Sequence, residues 1–141
     1  MLRKRQISLL FVLIITSAVL WGLAGCGRSS KPEFSVGAYY SVEAERGGFR
    51  VAKILAVDKK GVHIRLYQNR FAERPPEIAP DELTLGSPDD EGSGIEHAAV
   101  LLRTFTTWKP VFIVQGSVTE EELDGYKAWQ ESLGEYLGEE S

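Results

Sequence analysis

The stretch FRVAKILAVDKKGVHIRLY, residues 49–67, constrains the fold more than any other part of the chain. Residues 50–57 are rich in β-branched and aliphatic side chains, and Val62, Ile64 and Leu66 alternate with His63, Arg65 and Tyr67. Between the two runs, Asp58-Lys59-Lys60-Gly61 has the composition of a short hairpin loop whose glycine takes a positive φ. Successive side chains of a strand point to opposite faces, so Val62, Ile64 and Leu66 are assigned to the core and His63, Arg65 and Tyr67 to the outward face. Upstream, Tyr40 and Val42 alternate with Tyr39 and Ser41, and Glu45-Arg46-Gly47-Gly48 supplies a turn. Three antiparallel strands in a meander are the expectation.

Residues 72–96 hold four of the six prolines and most of the irregular polar sequence, which predicts a long loop with a short strand at 82–85 and a mobile stretch at 87–94. Residues 97–102 then suit a buried strand. Phe105 and Trp108 are spaced like one helical turn, and residues 111–114 read as another strand with Pro110 at its start. A helix over 119–137 closes the chain. Thr119 and Glu122 form its capping box, and Leu123, Tyr126, Trp129, Leu133, Tyr136 and Leu137 fall on one face. That face is expected to dock on the strands, with Tyr126 and Trp129 as a partner-binding face in the alternative.

Residues 49–67 resemble the second and third strands of Tudor and other SH3-like barrels, in which an aromatic-basic strand passes through a short acidic-glycine turn into an alternating strand. The resemblance covers about twenty residues and implies a fold. The expected class is mainly β: an SH3-like small barrel or a strongly bent antiparallel sheet, with a packed amphipathic helix. Tyr39, Tyr40, Tyr67 and Phe71 could line the aromatic cage of some Tudor domains, though core and rim packing accounts for them without a ligand.

The first thirty residues carry an address. Arg3, Lys4 and Arg5 precede an apolar run over 7–24, and Leu23-Ala24-Gly25-Cys26 ends it. This resembles the lipobox of bacterial lipoprotein signal peptides. The resemblance implies a signal peptide over 1–25 that is cut away, an acylated Cys26 that anchors the chain to the lipid bilayer, and a polar tether over 26–33. The alternative is an uncleaved span, since eighteen residues are about enough to cross a bilayer. Both arrangements place the remainder on the extracytoplasmic side. The resemblance also implies that, in a Gram-negative cell, Gly27 in place of an aspartate favours the outer membrane. Cys26 is the only cysteine, so the domain has no internal disulfide and depends on a packed core. A little over a hundred residues from Phe34 onward suffice for one such core, divided into a β domain over 34–118 and the helix.

Losing Arg3, Lys4 and Arg5 with the signal would take the net charge from −4 to −7, a poor balance for nucleic acid. Within the domain the charge is polarised. Arg46, Arg50, Lys53, Lys59, Lys60, Arg65, Arg70 and Arg74 face only Asp58 and Glu73 in the same segment, whereas Lys127 is the one base after Thr119 among eight acids. A basic strand face of His63, Arg65, Tyr67 and Lys53 is the candidate binding face, for an envelope protein or an anionic wall polymer. His63 and His97 lie far apart in sequence and lack ligand spacing, Asp89, Asp90 and Glu91 lack the pattern of a calcium loop, and Gly92-Ser93-Gly94 reads as a flexible link. No catalytic residue, metal or cofactor is assigned. The expected function is a non-catalytic, membrane-anchored envelope lipoprotein that binds a protein or wall polymer; an envelope hydrolase and a purely structural or assembly factor are the alternatives.

Overall fold

Period-two alternation builds the sheet as expected. In the computed structural model, which describes residues 33–139, β1 (Ala38–Glu43), β2 (Phe49–Val57) and β3 (Gly61–Leu66) form an antiparallel meander. β4 (Ile95–Leu101) adds to β3, and β5 (Val111–Gln115) returns to pair with β1, giving the order β4-β3-β2-β1-β5. The protein is therefore mainly β. Its sheet is bent but stays open, with β4 and β5 as edges, so of the two expected forms the closed barrel is not the one adopted. Register shifts at Tyr39/Tyr40, between Ile54 and Ala56, and between Ile64 and Leu66 introduce the bulges that bend such a sheet.

The inner face buries Ala38, Tyr40 and Val42 from β1, Ala52 and Ile54 from β2, and Val62, Ile64 and Leu66 from β3, together with Val100. Two aromatic residues outside the sheet complete this core. Phe34 stacks edge-on against Tyr40 and Phe105, and Phe105 is carried in by α1 (Leu102–Thr107), the helical turn between β4 and β5. Each fully buried aliphatic side chain of this kind contributes about 1.5–3 kcal/mol.

The outer face is covered as well, which the alternation alone does not announce. Tyr39, Val51 and Tyr67 pack beneath Phe71, Ile78, Leu83, Leu85 and Ile113, most of them from the long loop. That loop contains a 3-10 turn at Pro80–Glu82 and not the expected strand; its backbone is held by Gln68 N donating to Thr84 O at 2.7 Å and Gly94 N donating to Leu85 O at 2.6 Å. The tip of the β2–β3 hairpin also differs from expectation. Gly61 has no positive φ; it is required because a Cβ there would lie 2.1 Å from Val100 O on β4. Asp58 shapes the turn instead, Oδ1 accepting from Lys60 N at 2.8 Å and Gly61 N at 2.9 Å.

The C-terminal helix is shorter than its pattern. After a 3-10 turn at Glu121–Leu123, α2 spans Asp124–Ser132 and stops at Leu133, whose φ of 51° is left-handed and whose side chain is 89% exposed. The chain then reverses along β4, where Leu137 N donates to Ala99 O and Leu101 N to Leu137 O. The 121–137 segment is thus a strap that blunts the β4 edge. The opposite edge, β5, leaves Val111, Phe112 and Val114 exposed. No helix among the described residues is long and apolar enough to cross a membrane. The expected signal peptide, Cys26 and all of the expected 26–33 tether except Glu33 lie outside the described residues.

Candidate functional site

The strand face assigned to binding is not free. His63 is completely buried and Lys53 is 4% exposed, Tyr67 is buried, and Arg65 is largely covered. The exposed face of His63, Arg65, Tyr67 and Lys53 is therefore a correction: the strap and the loop lie over it. Glu122 is the reason the cations can be covered. Lys53 Nζ donates to both of its carboxylate oxygens, at 2.7 and 2.8 Å, and Arg65 Nη1 donates to Oε1 at 3.4 Å. Burial acts to raise the Glu122 pKa, but the bonds from Lys53 and Thr119 and the two cationic charges lower it. The capping box is present too, with Thr119 N donating to Glu122 Oε2 and Glu122 N to Thr119 Oγ1. One glutamate thus starts the helical segment and neutralises the sheet beneath it.

Next to that ion pair the fold assembles a group that sequence spacing did not reveal. β3 carries His63 and β4 carries His97, and the register His63 opposite Ala99 brings the rings together, with Nδ1 of His63 3.1 Å from Nε2 of His97. Nε2 of His63 is 2.8 Å from Asp58 Oδ2, which also accepts from the Tyr136 hydroxyl. Burial opposes ionisation of Asp58, yet Tyr136, His63 and the Gly61 and Lys60 amides hold its pKa at about 2. The ionised Asp58 accepts from His63 Nε2, and the tautomers of the two rings set which histidine donates across the Nδ1–Nε2 contact. Burial, then the neighbouring His63, lowers the His97 pKa to about 4. A carboxylate thus orients His63, and the two histidines, far apart in sequence, are neighbours in space.

Tyr126 and Trp129, the candidate partner face, close over this group. Their rings lie 4.5 and 4.6 Å from that of His63, and Trp129 packs edge-on against Tyr136 at 5.0 Å. Both are half-buried against the sheet. Among the described residues no three or more His, Cys, Asp or Glu side chains are arranged to hold a metal ion.

A pocket opens at the other end of the sheet. Val42 to Arg46 at the close of β1, Arg50 at the start of β2 and Leu66 at the end of β3 meet Arg70, Gly92 and Ile95, and Thr107, Trp108 and Leu137 complete the lining; the cavity volume is about 510 Å³. Val42, Leu66, Ile95, Trp108 and Leu137 make apolar walls, and Arg46, Arg50 and Arg70 with Glu43 and Glu45 supply the charged groups of the lining. Arg46 pairs with Glu91. Arg50 is clamped by donating from Nε to Tyr67 O at 2.8 Å and from Nη2 to Ser93 O at 3.1 Å. Its pKa is lowered by burial and then by the charge of Arg70. Arg70 makes no hydrogen bond or ion pair among the described residues.

The Gly92-Ser93-Gly94 segment contacts both guanidiniums, and so is not merely a flexible link. Ser93 supplies a carbonyl to Arg50, Gly92 lies so near Arg70 that a Cβ would be 3.2 Å from Nη2, and a Cβ at Gly94 would meet Leu66 O at 2.7 Å. The basic run over 46–74 signalled an excess of cations; which of them remain unpaired depended on contacts with Glu122 and Glu91, distant in sequence. Compared with known proteins, no family model matches the chain, and neither a curated protein nor a solved structure does.

Proposed function

We propose that this chain is a membrane-anchored, non-catalytic envelope lipoprotein, held by an acylated Cys26 on the extracytoplasmic side, and that it acts as a binding module. The single observation that carries the binding role is the 510 Å³ pocket, of a size suited to a small ligand or to one group of a larger one, with apolar walls and a few convergent polar side chains. The basic face proposed from sequence is thereby replaced as the binding site by the three arginines at the sheet's end. The anchor rests on the Leu23-Ala24-Gly25-Cys26 sequence alone. A photo-crosslinking amino acid at Thr107, on the pocket wall, is expected to give a discrete adduct in the native cell, and the same probe at Gln130, exposed on α2, none. An adduct from Gln130 alone would make the strap the interface and refute the pocket.

A second function, an envelope hydrolase, is favoured by the Asp58–His63–His97 chain, which places a carboxylate-oriented imidazole pair on one side of the sheet. None of the three lines the pocket, and Tyr126, Trp129 and Tyr136 pack against His63. Turnover of an envelope substrate that is lost in His97→Ala with the fold intact would establish it over the binding role.

A further inference from the structure

Arg50 and Arg70 line the same pocket, held beside the consecutive residues Ser93 and Gly92, and neither forms an ion pair among the described residues. Like charges brought together raise the free energy of the fold unless something else gains from the arrangement, and the surrounding chain does more than tolerate it. Tyr67 O and Ser93 O fix the plane of the Arg50 guanidinium through Nε and Nη2, leaving Nη1 without a partner among the described residues. Gly92, with a φ of 76° that disfavours any side chain, keeps the space beside Arg70 clear. Two forked donors, one of them fixed in orientation, are the arrangement that binds the oxygens of a doubly charged oxyanion, because planar guanidiniums bond such groups in pairs. Several exposed cations elsewhere in the domain have a carboxylate partner, Lys109 with Glu43, Lys127 with Glu120 and Lys60 with Glu139, whereas Arg50 and Arg70 have none among the described residues. Beyond the arginines, Leu66, Val42 and Trp108 offer apolar wall to whatever carries the anion.

We infer that the pocket binds a phosphate ester, with the phosphate held between Arg50 and Arg70 and the body of the ester packed against Leu66 and Trp108. This rests on the pocket being the binding site and names the class of ligand. A phospholipid headgroup with the first part of its chains and a soluble organic phosphate share this chemistry, and the test separates them. Glu45, at the same rim, disfavours a ligand whose body carries further negative charge and leaves room for a hydroxyl or ammonium group beside it.

The test is calorimetric titration of the full chain, in a neutral detergent, with three probes: inorganic phosphate, glycerol 3-phosphate and water-soluble dihexanoyl phosphatidic acid. Binding of at least one ester is expected to be ten-fold or more tighter than that of inorganic phosphate. Arg70→Glu is expected to weaken it at least ten-fold, whereas Lys127→Glu, an equal change of charge on the exposed side of α2, is expected to leave it within two-fold. Preference for phosphatidic acid identifies a lipid source, and equal or better binding of glycerol 3-phosphate a soluble one; both support the inference. Inorganic phosphate binding as tightly as the esters, or affinities indifferent to Arg70→Glu, would overturn it. If all three titrations are flat while Thr107 still crosslinks, the phosphate is wrong and the pocket stands; if Thr107 is silent as well, both fail.

Discussion

Lys53 and Glu122, sixty-nine positions apart, face each other with the ammonium between both carboxylate oxygens at 2.7 and 2.8 Å, and their side chains are only 5% and 11% exposed. The strap is therefore locked to the sheet by charge as well as by aromatic packing. Removing one partner of a buried pair leaves the other charge unpaired, which costs about 3–5 kcal/mol. Glu122→Gln is expected to lose a stability of that order in urea unfolding, and Lys53→Met with Glu122→Met substantially less than the single variant. Equal losses would mean the pair itself, and not the orphaned charge, carries the energy.

Stability is expected to fall as the pH is lowered from about 6.5 towards 4. His97 has a folded pKa of about 4, below its ordinary value of 6.5, so across that window the unfolded chain takes up a proton that the folded one does not. His97→Gln should reduce the slope in a series of denaturation midpoints against pH. Below pH 4 a further loss sets in as Asp58, held at about 2, is protonated preferentially in the unfolded state.

Leu133 gives a sharp distinction between the helix its sequence pattern implies and the one that forms. A helix running to residue 137 would bury Leu133, and shortening it to glycine would cost stability. Here the residue is left-handed and exposed, so Leu133→Gly is expected to be neutral or stabilising by up to about 1 kcal/mol. By contrast Ile54→Ala, in the inner core, should cost about 2–5 kcal/mol. Thermal unfolding of both variants checks the pair.

Two glycines should respond differently to alanine. At Gly61 the new Cβ would lie 2.1 Å from Val100 O, forcing β3 and β4 apart, and the loss is expected to exceed about 3 kcal/mol. At Gly47 nothing lies within 4 Å and only the φ of 84° resists, at about 1–2 kcal/mol. Equilibrium unfolding with Gly47→Ala as the reference isolates the steric contribution.

The meander was legible because Val62, Ile64 and Leu66 obey a period that only a strand satisfies, and the same period put His63 and Arg65 on the second face. Their burial was not legible. It depends on Glu122 and Tyr136 arriving from the far end of the chain, and no local pattern encodes which surface a helix chooses. The helix was over-extended for a related reason: apolar spacing continues through Leu137 after the backbone has turned at Leu133, since Tyr136 and Leu137 still face the sheet by reversing along β4. The arginine pocket combines both cases. Its charges were visible in the 46–74 run, while the grouping of Arg50 with Arg70 awaited the fold of Gly92 and Ser93.

Native mass spectrometry of the protein released gently from its own membrane tests the binding role most directly. The account predicts a bound mass that survives Lys127→Glu and disappears on Thr107→Trp, which places a large side chain in the pocket. Retention of the same mass in Thr107→Trp, with the fold unchanged, would place the ligand elsewhere and contradict it.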